Sequence, residues 1–291
     1  TFNASGDFRQ CSGDNDARNA PHLKKACSSE NYVNTTAKSF NAVSDCLAGY
    51  VADSSDPEIK RVTALSIFTM VNVESGFHVN ALSPTGAGGP GQFTQPAIDT
   101  VNKNMQDLKE YLAKSDNPLC KNILAKVLDH PMDGRPSKSC ERINLSDNNP
   151  LRNMMYIFAY QASLRRGLNG LFDNPAYQDV ISSLSPKLRE AFLSGLMTWS
   201  HNTGPAGMET PLRHLLRVSV QQNVHLSSKE DVASFMTTLA KDMRLYPHPA
   251  NSSSARRRET SIYYPSISSR MMTIGRQISG GVRGCFINPN L

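Results

Sequence analysis

Among the 291 residues there is a single tryptophan, charged residues make up only 19%, and the glycines and prolines are unevenly spread. No apolar run approaches the roughly 20 residues that a membrane-spanning helix needs, so no membrane span is expected. Convincing alternation of apolar and polar residues is scarce, which argues against a sheet-based fold. No internal repeat is visible. The six cysteines (Cys11, Cys27, Cys46, Cys120, Cys140 and Cys285) include no Cys-x-x-Cys pair. Structural zinc sites draw on closely spaced ligands, so metal binding is not expected. The basic residues lack a recognition-helix or zinc-finger pattern, which argues against nucleic acid as a partner. The first residues are polar and carry no apolar signal segment, as in a mature exported chain.

What the chain does hold fits a soluble globular protein, expected to be a monomer: hydrophobic residues reach 39%. An even number of scattered cysteines favours disulfides and therefore an oxidising compartment, periplasmic or extracellular. Nearness in sequence suggests Cys120 with Cys140 and one bridge within the first fifty residues. The net charge is +6. From His201 to Leu291 eleven Lys and Arg face five Asp and Glu, a surplus of six, so the rest of the chain balances. A basic last third suits an anionic polymer, although a merely basic surface gives the same count.

Residues 1–50 are rich in Asn, Ser and Cys and read as a disulfide-stapled N-terminal extension, with a helical patch at "AKSFNAVSDCLAGYV". Residues 51–291 read as one mainly α domain, with an inserted loop region at 115–148. Asp56-Pro57-Glu58 is a strong helix start. The helix "PEIKRVTALSIFTMVNVES" that follows is apolar nearly all round and should be buried. Further helices are expected over "QPAIDTVNKNMQDLKEYLAK", "NPLRNMMYIFAYQASLRRGL", "SPKLREAFLSGLMTWSHN", "TPLRHLLRVSVQQN", "SKEDVASFMTTLAKDMRL" and "ETSIYYPSISSRMMTIGRQ", the last interrupted by Pro265.

The stretch Asn72–Phe93 sets five glycines and two prolines around one carboxylate, Glu74. Ala64, Ile67, Phe68 and Val71 form an i, i+3, i+4, i+7 stripe, and Glu74 is its next member. An acid on an inward face keeps its proton more readily, as a general acid requires; a solvated glutamate at the helix end is the plainer alternative. Gly86, Gly88, Gly89 and Gly91 permit close approach of backbone to a ligand, while Ser75 and Gln92 offer hydrogen bonds. The loop lacks the lysine and the preceding strand of a phosphate-binding loop.

These residues resemble the soluble lytic transglycosylases and their relatives, the goose-type lysozymes. The family's first motif is similar to "ESxFxxxAxSxxGAxGxxQ", and Glu74, Ser75, Phe77, Ala81, Ser83, Gly86, Ala87, Gly89 and Gln92 match it in register. Pro150, Asn153 and Tyr160 fit the next landmark, "SHNTGP" resembles the family's "AYNAGP", and Glu259, Thr260 and Tyr263 resemble its "ETxxYV". The resemblance covers roughly residues 57–275. It implies a lysozyme-like domain that cleaves the β-1,4 bond between muramic acid and glucosamine in peptidoglycan glycan strands, without a cofactor. Glu74 would be the acid and base, with Ser75, Gln92, His201, Asn202 and Tyr263 lining the substrate or placing Glu74. The chain departs from the pattern at Pro90-Gly91, His201 and Thr203, where the family has apolar, tyrosine and alanine residues.

Glycosidases generally use two carboxylates. Goose-type lysozymes use aspartates downstream of the glutamate; that resemblance makes Asp99 the candidate second carboxylate, while Ala87 occupies the nearer position. A lone Glu74 suits a transglycosylase that closes the muramyl ring into a 1,6-anhydro end. Water activated through Asp99 would make the enzyme a lysozyme, with the His201 and Thr203 changes pointing to deacetylated glycan. A silent glycan-binding protein is the reading from another class. Trp199 could stack on sugar or fill the core, and Arg256-Arg257-Arg258 could meet acidic polymer or water.

Overall fold

A computed structural model describes residues 30–79, 81–83, 86–135, 149–245, 261–263 and 267, with the side chains of 30–35, 123, 244 and 245 left aside. The expectations for Cys11, Cys27, Cys140, Cys285, Arg256–Arg258, Glu259, Thr260 and Pro265 fall outside these residues.

The described chain is mainly helical, and its only β pairing is two isolated bridges. The principal helices are α1 (Glu30–Ala52), α2 (Pro57–Ser75), α3 (Gln95–Lys103), α4 (Met105–Ala113), α5 (Pro150–Phe172), α6 (Pro186–Thr203), α7 (Pro205–Gln221) and α8 (Lys229–Leu245). One start device recurs. Asp56, Asn149 and Ser185 each precede a proline, and their side chains accept from the backbone N–H of Glu58, Arg152 and Leu188. The cap satisfies a donor that the first turn leaves over, and proline lacks the N–H that would have been orphaned. At the other end of α2, the N–H of Gly76 closes on the Asn72 carbonyl at 2.9 Å.

Packing follows from the apolar faces. α1 lies along α5 and α2, α6 lies against both α2 and α5, and α7 joins α6 to α8. Every residue of α2 from Val62 to Asn72 is buried, as its all-round apolar sequence requires. Phe40 of α1 meets Phe68, Phe77 and Phe158 at ring-centroid distances of 5.5, 5.9 and 5.5 Å. Trp199 is fully buried and belongs to this core, so it offers no face to a sugar. Inside the α2–α5–α6 contact lies a polar seam. The Glu190 carboxylate accepts from Arg165 and Thr63 at 2.8 Å and from Ser194 at 3.2 Å. A buried carboxylate persists only when paired in this way.

Three sequence expectations are corrected. Cys120 pairs with Cys46, not Cys140, with the two Cα atoms 5.5 Å apart. Nearness in sequence misled because α1 carries Cys46 into the core, where distance along the chain is irrelevant. α1 also runs through residue 50 without a break, and Phe40, Val43 and Leu47 are core residues; this part of the supposed extension is a central element. Within 115–148, residues Leu119–Leu124 form a π-helical turn and Ala125–Val127 an α turn, with Cys120, Leu124, Leu128 and Met132 buried. Residues 136–148 lie outside the described chain.

Candidate active site

Glu74 stands in the last turn of α2, half-buried, below a stripe whose members Ala64, Ile67, Phe68 and Val71 are all buried. The stripe continues to the acid as the helical spacing requires. Tyr263, a buried residue more than 180 positions later, donates its hydroxyl to Glu74 Oε1. The fold thus joins the first and last of the sequence landmarks into one pair.

The glycine-rich loop folds back on itself. Gly88 pairs with Phe93 through two backbone bonds of 3.0 and 2.7 Å, and Gly89 donates to Ala81 at 2.8 Å. Two adjacent carbonyls then tie the loop to different helices. Ser75 Oγ donates to Pro90 O at 2.9 Å, and His201 Nε2 bonds Gly91 O at 2.7 Å. Gly91 has to be glycine: a Cβ there would lie 2.7 Å from Ile157 Cγ1 and about as close to the Phe93 ring, at 3.0 Å. Gln92 sits in the left-handed region at φ 48°, and its amide donates to Gly89 O at 2.9 Å. Outside the loop, Arg135 donates to Gly86 O from an exposed position.

His201, in the last turn of α6, is half-buried. A carbonyl can only accept, so Nε2 carries the hydrogen and Nδ1 accepts from the Gln161 amide at 3.1 Å. Gln161 itself is almost fully buried on α5 and reaches Met70 Sδ at 3.4 Å. The imidazole meets the rings of Tyr160 and Phe93 at 5.4 and 6.1 Å. Burial pushes the His201 pKa down to about 4, against the opposing pull of the Gly91 bond. The same cause pushes the Tyr160 hydroxyl up.

The other expected residues fall as follows. Ser75 is only 2% exposed and is turned inward: it bonds the Val71 and Pro90 carbonyls and accepts from the Phe77 N–H. It thus ties the end of α2 to the loop at Pro90. Asn202 is half-buried beside His201. Asp99 lies on the exposed side of α3, opposite Ala97, Ile98 and Val101, and accepts from Gln95 one turn earlier at 3.1 Å. Gly204 follows α6 at φ 76° and ψ 159°, a region open only to glycine, and a Cβ there would meet nothing within 4 Å. Gln161 was not foreseen as a site residue. The signal was available: an amide on the apolar face of a helix must find partners when buried.

Among the described residues, no group of three or more His, Cys, Asp or Glu is arranged to hold a metal ion, and no helix is long and apolar enough to cross a membrane. No family model, characterised protein or solved structure matches the chain.

Proposed function

We propose that the chain is a peptidoglycan-cleaving glycosidase of the lytic transglycosylase and goose-type lysozyme kind, with Glu74 as its acid and base. The observation that carries this reading is the Tyr263–Glu74 hydrogen bond at the end of a buried helix, beside a tied-down glycine loop. Tyr263 holds the carboxyl in one orientation, and a fixed acid is worth more to catalysis than a mobile one. In the reaction Glu74 gives its proton to the glycosidic oxygen as the bond from the muramyl C1 breaks. The carboxylate then takes the proton of the muramyl 6-hydroxyl as O6 bonds C1, giving a 1,6-anhydro end and consuming no water. Neither metal nor cofactor enters this scheme. The Cys46–Cys120 bridge supports an exported protein.

The exposed position of Asp99 favours the single-carboxylate route over the hydrolase. A second reading has its own support. Both ring nitrogens of His201 are engaged inside the protein, so neither is turned toward an N-acetyl group. A muramidase acting on deacetylated glycan is consistent with that arrangement.

Mass spectrometry of muropeptides released from native and from chemically deacetylated peptidoglycan tests both readings. Anhydro ends from the native sample are expected. Reducing ends would make the enzyme a hydrolase, and reducing ends from the deacetylated sample alone would establish the second reading. Glu74→Gln keeps the shape and removes the proton relay, so it should lower turnover by about 10²–10⁴-fold. Unchanged turnover in that variant would remove Glu74 from the mechanism.

A further inference from the structure

We propose that His201 is a positioning residue, which fixes the Gly91 carbonyl and through it the loop Gly89–Phe93 against the helix that carries Glu74. The loop-anchoring part stands on geometry alone; its effect on turnover rests on the function proposed above.

The adjacent carbonyls of Pro90 and Gly91 are held from two directions. Ser75, the residue after Glu74, takes the first at 2.9 Å, and His201 takes the second at 2.7 Å from α6. His201 is itself oriented by Gln161 of α5, whose amide also reaches Met70 of α2. Met70 precedes Glu74 by four residues and so lies on the same face, one turn away. The chain of contacts from Gly91 through His201, Gln161 and Met70 therefore ends on the acid's own helix. Aromatic neighbours complete the seat: Tyr160 stands edge-on to the imidazole at 73° and Phe93 tilts against it. Gly91 fits closely on its inner side, against Ile157. With a partner on each ring nitrogen, His201 is built to hold and not to transfer a proton.

The experiment compares His201→Phe, His201→Gln and Gln161→Leu with the wild-type chain by amide hydrogen exchange and by kcat and KM on peptidoglycan. His201→Phe keeps a ring and loses both nitrogens. It should raise exchange at the amides of Gly88, Gln92 and Phe93 and lower kcat by about 10–100-fold with KM nearly unchanged. His201→Gln retains a donor for Gly91 and should restore exchange and kcat to within a few-fold of wild type. Gln161→Leu leaves the imidazole in place without its orienting donor, and should shift both readouts the same way but less. It decides the matter if His201→Phe does not fold.

Unaltered loop exchange in both His201→Phe and Gln161→Leu would overturn the proposal. A rise in KM with unchanged kcat would make His201 a substrate contact and overturn it as well. So would a His201→Gln variant with a protected loop and kcat as low as that of His201→Phe, because the imidazole would then be doing chemistry. If the wild-type chain cleaves no glycan, the functional reading falls and the exchange data still decide the anchoring.

Discussion

At the scale of single residues, two side chains bear most of the chemical argument. The Tyr263 hydroxyl donates to the carboxyl that, in the proposed reaction, switches between acid and base. Tyr263→Phe keeps the ring and its packing and removes that donor. A hydrogen bond to a charged group contributes about 1.5–3 kcal/mol, so losing it in the transition state should lower kcat roughly 10–100-fold, and stability should fall by no more than the same amount. Equal kcat in the two proteins would mean that Glu74 is oriented by other groups. His201 gives a prediction in pH. Its imidazole is held neutral in the fold, down to about 4 against an ordinary 6.5. Protonation would put a second donor at Nδ1, facing the Gln161 amide hydrogens. The unfolded chain therefore binds this proton more readily between those two values. The stability from this group is complete above about pH 6.5 and is lost as pH falls toward 4, at up to about 1.4 kcal/mol per pH unit. Tyr160, the titratable ring beside it, is pushed up by burial and stays protonated throughout. Subtracting denaturation curves of His201→Gln from wild type at pH 5 and 7 isolates the effect from the carboxylates. A flat difference would show that the imidazole is not held neutral.

At the scale of elements, capping and periodicity are local, and they made most helices readable. Asp56-Pro57 and Gly76 delimit α2, and Ser185-Pro186 opens α6, because each cap acts within one turn. Misreadings arise where a side chain breaks a helix from within or where contact between distant elements decides. The stretch read as one helix over 95–114 is two, parted at Asn104, whose side chain turns back to the Thr100 carbonyl at 2.8 Å. α7 begins at Pro205, earlier than expected, and runs through Pro211. The turns at 119–127 were hidden by flanking prolines and polar residues. In the site, Glu74 was legible from its stripe and Tyr263 from its motif, but Gln161 could not be tied to His201 without knowing how α5 and α6 cross. That crossing rests on the seam around Glu190. Arg165→Met removes the cation and leaves the carboxylate buried with Thr63 and Ser194. Breaking one side of a buried pair costs about 3–5 kcal/mol, whereas Arg165→Met with Glu190→Leu should lie close to wild type. Chemical denaturation of the two variants tests this, and a single variant as stable as the double would show that the seam carries no uncompensated charge.

At the scale of the whole molecule, the Cys46–Cys120 bridge closes a span of 74 residues that includes α2, the glycine loop, α3 and α4. Restricting the unfolded chain over such a span is worth about 2–4 kcal/mol. The bridge reaches the loop through the segment that follows it: Tyr156 and Asn102 hold Met132, and Arg135 holds Gly86. Glu74, however, is placed from elsewhere, by α2 against α5 and α6 and by Tyr263. Stability and activity should therefore separate. Cys46→Ala combined with Cys120→Ala should lower Tm by on the order of 5–10 °C while turnover well below the transition stays within a few-fold of wild type. Calorimetry and muropeptide release on the same preparation measure the two quantities. A variant with nearly wild-type Tm but little activity would place the determinant of the site in the segment that follows the bridge. In that case Arg135 and the 119–135 stretch would be part of the working loop, and the α2–α5–α6 frame would not suffice to set it.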